Sequence, residues 1–364
     1  MYVVLDTEFV WERSYYAYLG LVQVAVSPGF PRTLLPYKPP CLMKFRNESI
    51  DRNDYMLLDP LKCSPKALGS VIADGSIIKV LHDAVQDLQH LYRWSGALPA
   101  NIFDTRIGAG FVGMSSTISL KNLLLETQGI DLPKAETRSN WMKRPLSEEQ
   151  LEYSVHDVIY LGRAMEIIID KARKLDTYSW MMEEMEDLND PDKYIEDDVA
   201  DAWKNLRLPQ RTLANPQHLA QLRELAMWRE RLARAKNLPR GWIVADKVLI
   251  SSVIEPATDF KTFTNRELPK AFADEFFSIL NSIGRNVEAY NFETYKSPTP
   301  EQRRKSKLMM AEATEYAKKI HLDPAIVASR ADYTAYCKNP DDPDNPFAKG
   351  WRKDVFSDVL NKHI

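Results

Sequence analysis

The first 200 residues alternate two spacings of apolar positions. Short runs rich in β-branched residues, YVVLDTEFV from Tyr2, LGLVQVAV from Leu19 and SIIKVLH from Ser76, carry the period-two or continuous apolar pattern of strands. Between and after them, DAVQDLQHLYRW, ISLKNLLLETQG and SEEQLEYSVHDVIYLGRAMEIIIDKARKL repeat apolar residues every three or four positions, the spacing of amphipathic helices. Strand and helix patterns interleaved in this way predict an α/β domain whose last helix ends near Leu175.

Beyond about Asn215 the pattern is helical throughout: HLAQLRELAMWRERLARAKNLP, DKVLISSVI and RELPKAFADEFFSILNSIG. After the Ser297-Pro298-Thr299-Pro300 break, TPEQRRKSKLMMAEATEYAKKIHL starts a second helical set. The expected organisation is an α/β domain over residues 1–205 and two all-α domains over 206–295 and 296–364. The acidic stretch from Glu183 to Asp201, interrupted by Pro191, reads as a partly helical, solvated linker. The segment from Pro28 to about Tyr55, with Pro28, Pro31, Pro36, Pro39 and Pro40, reads as a long irregular loop or insertion.

Composition narrows the function classes. The 364-residue chain has a formal net charge of −3, so polyanion binding must come from local patches rather than an overall basic field. Cys41, Cys63 and Cys337 are scattered and form no CxxC pair, which argues against a disulfide framework and a cysteine zinc site and suits a reducing cytoplasm. No apolar run approaches the roughly 20 residues that span a bilayer, and MYVVLDTEF lacks the pattern of a signal peptide. A soluble, cytoplasmic monomer with no membrane partner is expected.

Three groups of acids stand out. Strand alternation in YVVLDTEFV puts Val4, Asp6, Glu8 and Val10 on one face, so two carboxylates lie side by side at the end of an apolar run. Such a pair calls for a cation or for solvent, because like charges repel and burying a lone carboxylate is costly. In LHDAVQDLQHL, His82 or Asp83 is positioned to cap a helix whose apolar residues face the core, with Asp87 one turn further on. In EYSVHDVIYL, Tyr153 and Asp157 are four apart and share a helical face. Each group alone is as well explained by exposed surface acids; in this order within one α/β domain they form a far more specific constellation.

That constellation resembles the ribonuclease D family of tyrosine-type DEDD 3′-5′ exonucleases. LDTEF looks like its first motif, LHDAVQDL its second and YSVHD its third, and the likeness continues through TRSNWMKRPLSEEQLEYSVHDVIYL. The helical half is covered too: LRELAMWRERLARAKNLPRGWIVADKVL resembles an HRDC domain, and DPAIVASRADYTAY with KGWRKDVFSDVL a more divergent second copy. The resemblance implies an RNase H-like domain, a mixed sheet flanked by helices, followed by all-α HRDC domains. It also implies catalytic residues Asp6, Glu8, Asp87, Tyr153 and Asp157. Asp6 would bridge two divalent cations, Glu8 and Asp157 would complete the inner site and Asp87 would hold the outer ion. Oxygen-only ligands suit Mg²⁺ or Mn²⁺ and the lack of a His/Cys cluster counts against zinc.

His82 and Asp87 form an H-x4-D spacing that imitates the third motif of histidine-type relatives, but it falls mid-domain, and the late motif carries Glu152 and Tyr153 instead. His82 is read as a capping or core residue that lines the site. Lys134, Arg138 and Arg144 around Trp141 are candidate phosphate contacts. In the first HRDC-like segment Arg223, Arg229, Arg231, Arg234, Lys236, Arg240 and Lys247 form a candidate polyanion patch.

The chain departs from the family pattern in starting almost on the catalytic strand, which puts a sheet edge in question, and in the proline-rich insertion. The implied function is a 3′-to-5′ exoribonuclease acting on tRNA precursors and releasing nucleoside 5′-monophosphates. The alternatives are a Werner-type DNA exonuclease and a non-catalytic nucleic-acid scaffold; the absence of a G-x4-GK[ST] loop excludes an ATP-driven helicase.

Overall fold

The computed structural model describes residues 1–35, 41–43, 45, 55–132, 139–209, 212, 215–254, 267–282 and 297–363. Most of the proline-rich segment, and Lys134 and Arg138, lie outside them.

Five strands form one sheet: β1 (Tyr2–Val10), β2 (Tyr18–Val26), β3 (Tyr55–Leu58), β4 (Ile78–Leu81) and β5 (Ile102–Asp104), in the order β3-β2-β1-β4-β5. β1 pairs in parallel with β4, and β4 with β5, while β2 and β3 are antiparallel, so the sheet is mixed. β1 is central, and its Val3, Val4 and Leu5 are fully buried. The β1–β4 register aligns Tyr2 with Ile78 and Val4 with Val80, so β1 runs on past the end of its short parallel neighbour. The strand order reverses at β1, and an α/β sheet opens a crevice at the carboxyl end of such a strand. Asp6 and Glu8 fall there.

Helices α1 (Lys66–Ala73), α2 (Ala84–Ser95), α3 (Thr105–Gly110), α4 (Leu120–Gln128), α5 (Glu148–Ile159), α6 (Leu161–Lys174) and α7 (Tyr178–Glu186) accompany the sheet. The start of α5 is set by a capping box, the Ser147 hydroxyl accepting from the Gln150 amide and the Gln150 side chain accepting from the Ser147 amide. The start of α2 is not capped as the sequence suggested. Asp83 is in the left-handed region at φ 67° and its side chain makes no cap bond; the Asp104 carboxylate, from the end of β5, accepts from the amides of Asp83 (3.1 Å) and Ala84 (2.8 Å). Gly96, at φ 71°, ends α2 where a side chain would be strained.

Contacts divide the described chain into two compact units. The first contains the sheet and its helices together with residues from Pro298 to the C-terminus. Its core joins sheet residues such as Val4 and Leu81 to Met309, Trp351 and Phe356 of the terminal helices, with Phe111 edge-on to Trp351 at 5.3 Å. The acidic stretch contributes to this packing at its start. Glu184 on α7 takes two bonds from Arg352 (2.7 and 2.8 Å) and one from the Trp351 indole (3.0 Å), so it is an ion-pair partner and not a solvated linker residue.

The second unit comprises Trp11–Tyr18 and Glu196–Ser297, built on the helices Pro216–Lys236, Asp246–Ile254 and Lys270–Ser282 around Leu222, Leu225, Trp228 and Phe276. Four of the seven basic residues expected to form a polyanion patch are engaged inside it. Arg229, 3% exposed, bonds to the Val244 carbonyl and Asp246; Arg234 and Arg240 both pair with Glu230; and Lys247 pairs with Glu267. Tyr15 donates to the same Glu230. Its burial would raise the Glu230 carboxyl, but the bonds from Arg240 and Tyr15 outweigh this and hold it down to about 2. Arg229 and Arg234 are therefore held in ion pairs within the unit, while Arg240 and Lys247 are paired but exposed.

A similar correction applies to Arg144. Its guanidinium bonds to both oxygens of Asp59 (2.8 and 3.1 Å), to the Trp141 carbonyl (2.7 Å) and to the Gly20 carbonyl (2.6 Å), and Asp59 is buried. It is a brace between chain segments rather than an open phosphate contact. Arg144→Met strands a buried carboxylate and is expected to cost about 3 kcal/mol in urea unfolding; a cost below about 1 kcal/mol would mark the pair as an ordinary surface bridge.

Candidate active site

A cleft of about 760 Å³ opens at the carboxyl end of β1. It is lined by Asp6, Thr7, Glu8 and Phe9 of β1, His82 to Asp87 at the start of α2 in part, Leu120 and Lys121 of α4, and Tyr153 and Asp157 of α5. The three sequence-separated acid groups thus meet in one place.

Asp6, Glu8 and Asp157 converge most closely, with one carboxylate oxygen from each within 4.8 Å of the others. Alternation along β1 explains the first two, and α5 crossing β1 brings the third. Asp87 lines the same cleft but stands apart from this trio, its carboxylate accepting from the hydroxyl of Thr7. Thr7 belongs to the opposite face of β1 from Asp6 and Glu8, and its link to Asp87 is legible only once α2 is laid beside the strand.

Electrostatics follows from this crowding. Burial, then the neighbouring Asp157, pushes the Asp6 carboxyl well above the usual carboxylate range. Burial, then Asp6, Asp157 and Asp87, raises Glu8 to about 10. Burial, then Asp6, raises Asp87, and burial, then Asp87, raises Asp157 to about 7. Burial, followed by the surrounding acids, pushes the phenol of Tyr153, one turn from Asp157, upward, so it stays protonated and available as a donor. Lys121 also lines the cleft, but its ammonium is spent on Asp131 (2.7 Å) and the Leu132 carbonyl (2.9 Å). The trio therefore has no protein cation beside it among the described residues that line the cleft.

This donor set fits divalent metal ions. It offers several hard carboxylate oxygens, excess negative charge in a buried setting, and no thiolate or imidazole in the trio.

The other expected site residues are placed differently. His82 lines the cleft, but both ring nitrogens are engaged, Nδ1 with the Thr105 hydroxyl and Nε2 with the Ile118 carbonyl, each at 3.0 Å. His156 faces Tyr160 at 6.1 Å, away from Asp157. Trp141, 2% exposed, packs with Leu21, Leu57 and Val155 behind Tyr153, its ring 6.2 Å from the phenol ring. A Cβ at Gly20 would come within 2.6 Å of the Trp141 carbonyl oxygen, which explains the glycine there. Trp141 is thus a support for Tyr153.

One residue at the site went unnoticed in the sequence. Gln23 of β2 is fully buried, and its Nε2 donates to Asp6 Oδ2 at 3.2 Å. The available signal was a single amide inside the otherwise apolar run LGLVQVAV.

Comparison with known proteins agrees with this geometry. Residues 2–172 match the family model for 3′-5′ exonucleases and residues 218–254 that for the HRDC domain. Ribonuclease D of Desulfotalea psychrophila is 33% identical over 99% of this chain and 92% of its own length. Ribonuclease D of Jannaschia sp. is 29% identical over 98% of this chain and 88% of its own. Among solved structures, Escherichia coli RNase D, described as an exoribonuclease involved in structured RNA processing, superposes with a TM-score of 0.81 at 23% identity, covering 99% of this chain and 92% of that one. The catalytic core of RRP6 from Trypanosoma brucei superposes at 0.54 with 18% identity over 80% of this chain and 75% of that one. With the mixed sheet flanked by helices, the acid cluster and these relatives in hand, the chain belongs to the ribonuclease D family and is a 3′-5′ exoribonuclease.

Proposed function

We propose that this enzyme shortens RNA from the 3′ end by hydrolysis at a two-cation site, using Mg²⁺ or Mn²⁺, and that its substrates are structured RNAs such as tRNA precursors. The observation that carries the chemistry is the convergence of Asp6, Glu8 and Asp157 within 4.8 Å in a cleft that Tyr153 also lines. The substrate class rests on the relatives, one of which is described as acting in structured RNA processing. The scattered free cysteines suit a cytoplasmic enzyme. Residues 206–295 and 296–364 are read as the two HRDC-like segments.

Asp6, Glu8 and Asp157 would hold the inner cation, and Asp87, oriented by Thr7, the outer one. When bound, such ions neutralise the scissile phosphate and lower the pKa of the attacking water. The chain's own contribution is positioning. Tyr153, protonated and lining the cleft, presents its one donor to the water or to a phosphate oxygen, and Trp141 behind it restricts its movement. Phe9, Leu120 and Leu132 give the cleft an apolar wall against which a terminal base can rest without being identified.

Three outcomes test this reading. With 3′-labelled RNA the label should leave at once as mononucleotide, whereas 5′-labelled RNA should shorten stepwise, with matched DNA degraded more slowly. Chelator should abolish both, and Asp157→Asn should slow cleavage by about 100-fold or more. Internal fragments, or turnover in chelator, would contradict it. Second, Tyr153→Phe should slow single-turnover cleavage by about 100-fold while divalent-ion affinity changes little; an unaltered rate removes Tyr153 from the mechanism.

Third, the raised carboxyls set a pH dependence. A carboxyl whose folded pKa lies above its unfolded value favours the fold only while protonated. That contribution is present below the unfolded value and disappears as pH rises, through about 7 for Asp157 and towards about 10 for Glu8. In chelator the Tm should therefore fall between about pH 5 and about pH 8.5. Saturating Mn²⁺ should raise it, and by more at the higher pH; an equal gain at both would count against cation binding by these groups.

A further inference from the structure

One buried polar group beside the acid cluster has no part in that mechanism. Gln23 lies on β2, next to the catalytic strand, between Val22 and Val24, and all three are 0% exposed. An apolar side chain of similar length would fill that position without the cost of desolvating an amide. The amide is also only half satisfied: Nε2 donates to Asp6 Oδ2 at 3.2 Å, while Oε1 has no hydrogen-bond partner among the described residues. Core packing alone gives no reason to keep such a group. Its single advantage is what it does for the acids.

We propose that Gln23 is a positioning residue whose amide holds the Asp6 carboxylate in the orientation that, with Glu8 and Asp157, receives a divalent cation. The inference rests on the cation site proposed above. The bond runs from a planar amide locked between buried valines, so it fixes the direction in which Asp6 Oδ2 is held. Gln23 does not line the cleft, so it acts through the acids and not on RNA. Ligating carboxylates are commonly fixed by hydrogen bonds of this kind.

The test uses the full-length protein with Gln23→Met and Gln23→Asn, titrated with Mn²⁺ alone by calorimetry, with melting in chelator and kinetics on RNA alongside. Gln23→Met keeps volume and removes the donor. It should melt in chelator at or above the parent temperature, bind Mn²⁺ about 10- to 100-fold more weakly, and lose kcat with KM for RNA unchanged. Excess Mn²⁺ should restore part of the rate. Gln23→Asn, with the amide one methylene short, should fall between. A folded Gln23→Met protein with parental Mn²⁺ affinity overturns the proposal. If that variant does not fold, Gln23→Asn decides, parental affinity overturning it and weakened affinity supporting it. No Mn²⁺ binding by the parent protein would instead remove the cation site itself, and this role with it.

Discussion

The feature on which the rest of the molecule depends is the repulsion among carboxylates gathered at the end of a buried strand. Asp6 and Glu8 project from β1, the central strand of the sheet, and α5 adds Asp157 to the same small volume. Such a cluster is unfavourable in isolation, and the raised carboxyl pKa values are the form that cost takes. A divalent cation reverses the sign of the interaction, so a locally unfavourable cluster is also the functional one.

Around that point the surroundings are rigid. Thr7 fixes Asp87, Tyr153 is backed by Trp141, and both nitrogens of His82 are bonded across to α3 and the segment before α4. The Arg144–Asp59 brace reaches Gly20 and Trp141 on the far side. Chemistry that relies on a few ligands and one phenol needs those groups held to within fractions of an ångström, and packing provides this better than loops do. The cation-rich look of several segments serves the same end. Arg144, Arg234, Arg240 and Arg352 are spent on buried or half-buried acids, and the buried Arg229 on the exposed Asp246.

Much of this was legible in the order of residues. Period-two alternation put Asp6 and Glu8 on one face of a strand, and helical spacing put Tyr153 and Asp157 on one face of a helix, because both periodicities are properties of the backbone itself. The α/β and all-helical halves followed from the same patterns, and the family resemblance joined the acids into a site. Misreadings arose where a residue's role depends on a distant partner. The cap of α2 comes from Asp104, and the basic residues of the helix Pro216–Lys236 find Glu230 and Asp246. Trp141 is enclosed by Leu21 and Val155.

The sequence by itself determined which side chains share a face and hence which chemistry was possible: paired carboxylates on a strand, a phenol and a carboxylate one helical turn apart. Tertiary structure decided which of those faces meet and which charges remain available. Proximity between residues 6, 87 and 157 is set by strand order and helix crossing, which local periodicity does not encode. Ion pairing then removes most candidate cations from consideration, because a charge's function depends on what lies within a few ångströms of it in space.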